Sequence, residues 1–155
     1  TGVSDARHVP VLAEALARLG SERAMVVHGE DGLDEISASS PTIVVEVRNG
    51  ECSDPFHIYP ELYGLRCWPL KYLVGGDPAK NASITRRVLA GEPGAPLDVV
   101  LINAGAAIYL ADKAESIHEG IELAREAVQS GRALEILSAF VEFTQSVKKT
   151  GGARP

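Results

Sequence analysis

Residues 97–110, LDVVLINAGAAIYL, are apolar on nearly every side and restrict the fold more than any other stretch of the chain. A helix without a polar face is stable in water only when other elements surround it. The length and alanine content of this run favour such a fully buried helix, with strand-like structure at residues 99–102 as the alternative. The apolar run 99–111 is interrupted by Asn103 and is too short for the roughly 20 residues that a membrane-spanning helix requires, so no membrane integration is expected. It belongs instead at the centre of a globular core. A chain of 155 residues, 45% of them apolar, can build such a core without a disulfide or a structural metal.

The flanking sequence supplies the layers. Val9, Leu12, Leu16 and Leu19 recur at helical spacing, and Gly20 stands where a helix terminates. Residues 24–27 form a short apolar run that stops at His28-Gly29, a buried strand delivering its end to the loop EDGLDE. A second strand is expected over residues 42–47. Asn49-Gly50 follows it with the residues that best tolerate a tight hairpin turn, and residues 56–59 pair back at a sheet edge beside Pro55. Residues 59–74 read as irregular connection. Asp77 and Pro78 cap and open a helix that runs to about Ala90 and stops at Gly91, with Ile84, Val88 and Leu89 as its buried stripe. Ile117, Ile121, Ala124 and Val128 mark another helix, closed near Gly131, and Ile136, Phe140, Phe143 and Val147 mark the last. Strands interleaved with helices define an α/β class, helix-rich after Asp77. We expect one unit over residues 1–149 and a disordered tail at 150–155.

The net charge of −6, with Lys and Arg scattered, gives no footprint for nucleic acid or an anionic membrane. A polyphosphate partner therefore needs a cation between it and the protein. Cys52 and Cys67 lack metal-ligand spacing, which points to a reducing cytoplasm.

Chemistry concentrates after the first strand, a location that ligand sites favour in α/β proteins. Asp34 and Glu35 are adjacent carboxylates in a loop that also holds Glu30 and Asp31. Hard oxygen donors in a hydrated loop suit Mg²⁺, which takes one or two carboxylates and leaves positions for water and substrate phosphates. Read locally, the same residues also describe a solvated acidic turn. His28 reads as a strand-end histidine bonded to backbone, with general base as the alternative. Gly75-Gly76-Asp77-Pro78 reads as a capped helix start, because the Asp77 carboxylate occupies the backbone donors that a phosphate needs. Asn103 reads as a satisfied buried amide. Ser37, Ser39 and Ser40 have no base at a nucleophile-elbow spacing and are set aside as nucleophiles.

HGEDGLDEIS at 28–37, GGDPAKNASI at 75–84 and INAGAAIY at 102–109 make the chain resemble the carboxy-terminal part of the anthranilate phosphoribosyltransferase family. The likeness extends over nearly the whole chain in the family's order, with Lys80 where Glu is more usual and Ser83 where Ala is. The resemblance implies the carboxy-terminal part of the large domain of a nucleoside phosphorylase/phosphoribosyltransferase-like fold. It also implies transfer of a phosphoribosyl group from phosphoribosyl pyrophosphate (PRPP) to anthranilate in tryptophan biosynthesis, in a homodimer. The family's Asp-Glu pair that holds Mg²⁺ on the pyrophosphate falls on Asp34 and Glu35, and it is the resemblance that selects the metal over the solvated turn.

The family's GTGGD loop, its NxS/T and KHGN segments and the Arg that meets the anthranilate carboxylate precede the region resembled, and none occurs here. The chain alone is therefore expected to be catalytically incomplete, and Thr1 in place of an initiator Met points to an amino-terminal part of the same protein as its first partner. Two other readings remain: a pyrimidine nucleoside phosphorylase-like paralogue, and a non-catalytic binding module of the same fold.

Overall fold

The computed structural model describes residues 1–150. Its order is α1 (His8–Arg18), β1 (Arg23–Gly29), β2 (Thr42–Arg48), β3 (Glu51–Cys52), β4 (Phe56–Ile58), two 3₁₀ turns (Pro60–Tyr63 and Leu70–Tyr72), α2 (Pro78–Leu89), α3 (Ala95–Leu110), α4 (Ile117–Gln129) and α5 (Arg132–Thr150). The sheet is a small antiparallel one. β1 pairs with β2 from Arg23↔Arg48 to Gly29↔Thr42, and β3 and β4 share the far side of β2. Asn49 and Gly50 both take positive φ (52° and 82°), the conformation a two-residue hairpin requires, and β4 lies at the sheet edge as expected. On the free side of β1, Gly2 makes a parallel bridge to Val27.

Strand alternation sends side chains into two cores. Val26, Val45 and Val47 pack beneath α1 with Val9 and Ala13. Met25, Val27, Val44 and Ile58 face the other way and join Leu101, Ile102, Ala106, Ile121 and Val128 from the later helices. The result is a helix, sheet and helix sandwich with α3 against the sheet. Residues 99–102 are helical, so the strand alternative does not hold.

Full burial of α3 is also corrected: Leu101, Ile102, Gly105 and Ala106 are buried, whereas Val100 is 38% exposed and Ala107 is exposed. The same holds for α5, where Ile136 (71%), Phe140 (62%) and Phe143 (64%) face outward. The α5 stripe was legible as helical periodicity, but periodicity reports an apolar face and not what covers it. Leu19 likewise falls outside the α1 stripe, beyond the last helical residue and exposed. Thr150, expected in the tail, is the last residue of α5, and the rest of that tail, 151–155, lies outside the described residues.

The position of α3 is set by its crossing with α4. Gly105 and Gly120 bring the two backbones together so closely that a Cβ on Gly120 would sit 2.2 Å from the Gly105 carbonyl oxygen, and one on Gly105 would sit 2.7 Å from the Ile121 nitrogen. Backbone cannot move aside as a flexible side chain can. At the far end of α3, Arg23 from β1 donates to the Tyr109 carbonyl (2.9 Å) and to Glu46 (3.0 Å) while its guanidinium lies 4.4 Å over the Tyr109 ring. Gly120→Ala is expected to lower unfolding free energy by about 1–3 kcal/mol or more, as overpacking against backbone does. Chemical denaturation beside Leu123→Ala on a more open part of α4 checks it; equal stabilities would show that the helices do not depend on this close approach.

Candidate functional site

The loop after β1 is tied to itself before anything else touches it. The Gly29 N–H donates to the Leu33 carbonyl (2.8 Å), the Gly32 N–H to the Gly29 carbonyl (2.8 Å) and the Glu30 N–H to the Pro41 carbonyl (2.9 Å), which closes the loop at its base. Asp31 is its internal knot. Its carboxylate accepts from the Ser37 hydroxyl (2.6 Å), the Ser39 hydroxyl and the Leu33 N–H (3.3 Å), while its own N–H donates to Ser40 (3.1 Å). Gly29 is needed beneath it, since a Cβ there would lie 2.6 Å from Asp31 Oδ1. Burial works to raise the Asp31 pKa, but the hydrogen bonds from Ser37 and Ser39, with those from Leu33 and Ser40, outweigh it and hold the carboxyl below its ordinary value. The three serines that carry no nucleophile spacing thus have a role as hydrogen-bond partners of an acidic residue.

Two further fastenings flank Asp34 and Glu35. On one side, residues 1–3 run beside β1, with the Val3 N–H on the Val27 carbonyl and the Val27 N–H on the Thr1 carbonyl, both at 3.0 Å. Gly2 lies directly against the backbone of Asp34, where no Cβ has room. His28 Nδ1 makes a 2.8 Å hydrogen bond with the Val3 carbonyl, so the backbone-bonded reading of His28 holds and the general-base alternative loses that nitrogen. On the other side, Asn103 of α3 accepts from the Ile36 N–H (3.0 Å) and donates to the Ile36 carbonyl (2.7 Å) and to the Val99 carbonyl (2.8 Å). It is the satisfied amide that its place in an apolar helix implies, though half-buried rather than fully enclosed.

Asp34 and Glu35 themselves are exposed at the tip between these fastenings. Glu35 also lines a cavity of about 440 Å³ bounded by Tyr72, Ile84, Val88, Pro96 and Val99, and that wall partly desolvates its carboxyl. Burial first, then the charges of Asp34 and Asp31, push the Glu35 carboxyl above its ordinary value. Among the described residues no group of three or more His, Cys, Asp or Glu forms a ready metal cage. The donor set is two adjacent carboxylates open to solvent. That suits a cation which retains water and takes its other ligands from a phosphate, and it does not suit an all-protein zinc or calcium site. A cation here would also offset the burial and the neighbouring negative charges that together raise Glu35.

Gly75 to Pro78 do not form a phosphate cradle. Asp77 accepts from the Lys80 N–H at 2.7 Å as the N-cap of α2, and the Asn81 side chain bonds both the Gly76 N–H (2.7 Å) and its carbonyl (3.0 Å). No helix among the described residues is long and apolar enough to cross a membrane.

Residues 1–134 match the glycosyl transferase family, a/b domain, and the chain belongs to that family. Within it, the chain is similar to anthranilate phosphoribosyltransferases. The enzyme of Rubrobacter xylanophilus is 48% identical over 151 residues, spanning 97% of this chain and 44% of its own length. Among solved structures, anthranilate phosphoribosyltransferase from Thermus thermophilus superposes with a TM-score of 0.84 at 41% identity over 93% of this chain and 42% of that one. The Saccharomyces cerevisiae enzyme in complex with PRPP and Mg gives 0.82 at 31% identity, over 94% and 42% respectively. The chain thus spans less than half the length of these relatives.

The opposed shifts of the two carboxyls carry a pH signature. Asp31, held low, contributes stability that is present above the ordinary carboxylate pKa and is lost as pH falls through its folded value. Glu35, held high, contributes stability present at low pH and lost as pH rises through its folded value. In metal-free solution Glu35→Gln is therefore expected to melt above the wild type at pH 7, and the two are expected to converge below about pH 4. A thermal melt series from pH 3 to 8 with chelator checks this; a variant less stable than the wild type at pH 7 would contradict the repulsion described.

Proposed function

We propose that this chain is the metal-holding portion of an anthranilate phosphoribosyltransferase, with Asp34 and Glu35 as the protein ligands of a Mg²⁺ that binds the pyrophosphate of PRPP. The observation that carries the reading is the exposed Asp34-Glu35 pair, fastened on both sides at the end of β1 and left with a repulsion that a cation relieves. Support comes from the solved yeast relative, whose complex contains both PRPP and Mg. A protein of net charge −6 needs such an intermediary to hold a polyanion.

When bound, the metal supplies Lewis-acid neutralisation of the charge that grows on a departing pyrophosphate. The chain's own residues do the rest of what is assigned here. Asp34 and Glu35 present hard oxygens without surrounding the ion, which leaves positions for phosphate and water. Asp31 keeps the loop closed through its serine hydrogen bonds and leaves the outer two carboxylates as the free acidic groups. The acceptor anthranilate, the homodimer and an amino-terminal partner segment belong to the same proposal. The outward apolar stripe of α5, Ile136, Phe140 and Phe143, favours further protein against this unit, because exposed apolar patches of this kind mark interaction surfaces.

Calorimetric titration of Mg²⁺ with PRPP into the longest native polypeptide that carries this chain tests the reading. The wild type is expected to bind, and Asp34→Ala combined with Glu35→Ala to lose at least tenfold in affinity, roughly the scale of losing metal ligation. Equal affinities in the two proteins would assign the pair to an ordinary solvated turn.

A further inference from the structure

We propose that Asn103 is a positioning residue for the metal-holding carboxylates, a role that rests on the function proposed above. Ile36 follows Glu35 directly, and Asn103 holds both of its backbone groups: the amide oxygen accepts from the Ile36 N–H at 3.0 Å and the amide nitrogen donates to the Ile36 carbonyl at 2.7 Å. The pairing is that of two strands in a ladder, except that one partner is a side chain. A third bond, from the amide nitrogen to the Val99 carbonyl at 2.8 Å, locks the side chain to its own helix. Two carbonyls on one end and one N–H on the other leave a single orientation of the amide that satisfies all three.

The geometry shows why the loop needs this hold. Asp34 and Glu35 are exposed, and their own side chains do not anchor the backbone. Upstream, the backbone of Asp34 rests on Gly2. Downstream, Ile36, Ser37 and Ala38 are buried, and the fastening nearest to Glu35 is Asn103. Asn103 in turn is carried by α3, whose place is set by the glycine crossing with α4. The carboxylates are therefore held by the rigid core and not by the loop alone. A metal site gains from such an arrangement, because ligands already in place lose less freedom when the ion arrives.

The experiment measures binding and not turnover. In the longest native polypeptide carrying this chain, Asn103→Ala and the near-isosteric Asn103→Leu are titrated with Mg²⁺ and PRPP by calorimetry. Ala104→Gly, the neighbouring position on α3, serves as a control that weakens the helix while leaving the Asn103 hydrogen bonds to Ile36 in place. The Asn103 variants are expected to weaken binding by about 10- to 100-fold, whereas Ala104→Gly is expected to lower the melting temperature and leave the dissociation constant unchanged. Wild-type affinity in a folded Asn103 variant overturns the proposal, as does an Ala104→Gly control that weakens binding as much.

Because either Asn103 variant can lose its fold, a second measurement uses the wild type alone. The Ile36 amide is expected to be protected from hydrogen exchange before any Mg²⁺ or PRPP is added, and exchange at the rate of an open loop amide overturns the proposal. The underlying reading fails separately. If the combined Asp34 and Glu35 alanine variant binds like the wild type, the metal assignment is wrong; if it loses binding while the Asn103 variants keep it, only the role of Asn103 is.

Discussion

The close crossing of α3 and α4 is the constraint from which the rest of the molecule is organised. With Gly105 and Gly120 in contact, α3 is pressed against the sheet at a fixed height, and three of its polar side chains then fall opposite three different partners. Asp98 accepts from the Trp68 indole at 2.7 Å and so holds the connection between the sheet and α2. Asn103 holds Ile36. Tyr109 stacks beneath Arg23 and donates to Glu46 of β2 at 3.2 Å. One helix thereby joins the loop, the connection and the sheet. A shift of α3 by a fraction of its pitch would break all three sets of contacts together, since packed interiors do not deform continuously.

Electrostatics then divides the acidic loop into an inner and an outer part. Asp31 directs its charge at hydroxyl and backbone donors and is a structural anion. Asp34 and Glu35 have no such donors among the contacts described, and the excess negative charge that remains is the property that suits them to a divalent cation. Apolar walls around the Glu35 cavity strengthen the effect, because charges interact more strongly where water is excluded. The division follows from which carboxylates are hydrogen-bonded and which are not.

Much of the fold was legible in the chain because its signals are local. Gly20, Gly91 and Gly131, all with φ between 80° and 82°, end helices where the sequence places them. Asp77 accepts from the Lys80 N–H, as an N-cap does. Asn49-Gly50 turns the hairpin. The candidate carboxylates were also legible, as an acidic loop at a strand end, although family resemblance was needed to choose a metal over a solvated turn. What was not legible is the support around them. Gly2 lies 32 positions before Asp34 and its glycine identity is explained only by the Asp34 backbone against it; Asn103 is 67 positions after Ile36, and its three partners are all backbone groups that no motif records.

The sequence by itself determined most of the elements, their order, the class of the fold and the adjacent carboxylates of the acidic loop, but not β3, the two 3₁₀ turns or the helical state of residues 99–102. Capping, hydrophobic period and turn chemistry act over a few residues, so the information for them sits within a few residues. Tertiary structure alone decided that α3 is only partly buried, that the loop serines bind Asp31, and that Gly2 and Asn103 meet on either side of Asp34 and Glu35. Each of these depends on where distant backbone groups come to lie once the core has packed, and a hydrogen bond or a van der Waals contact exists only at that final distance.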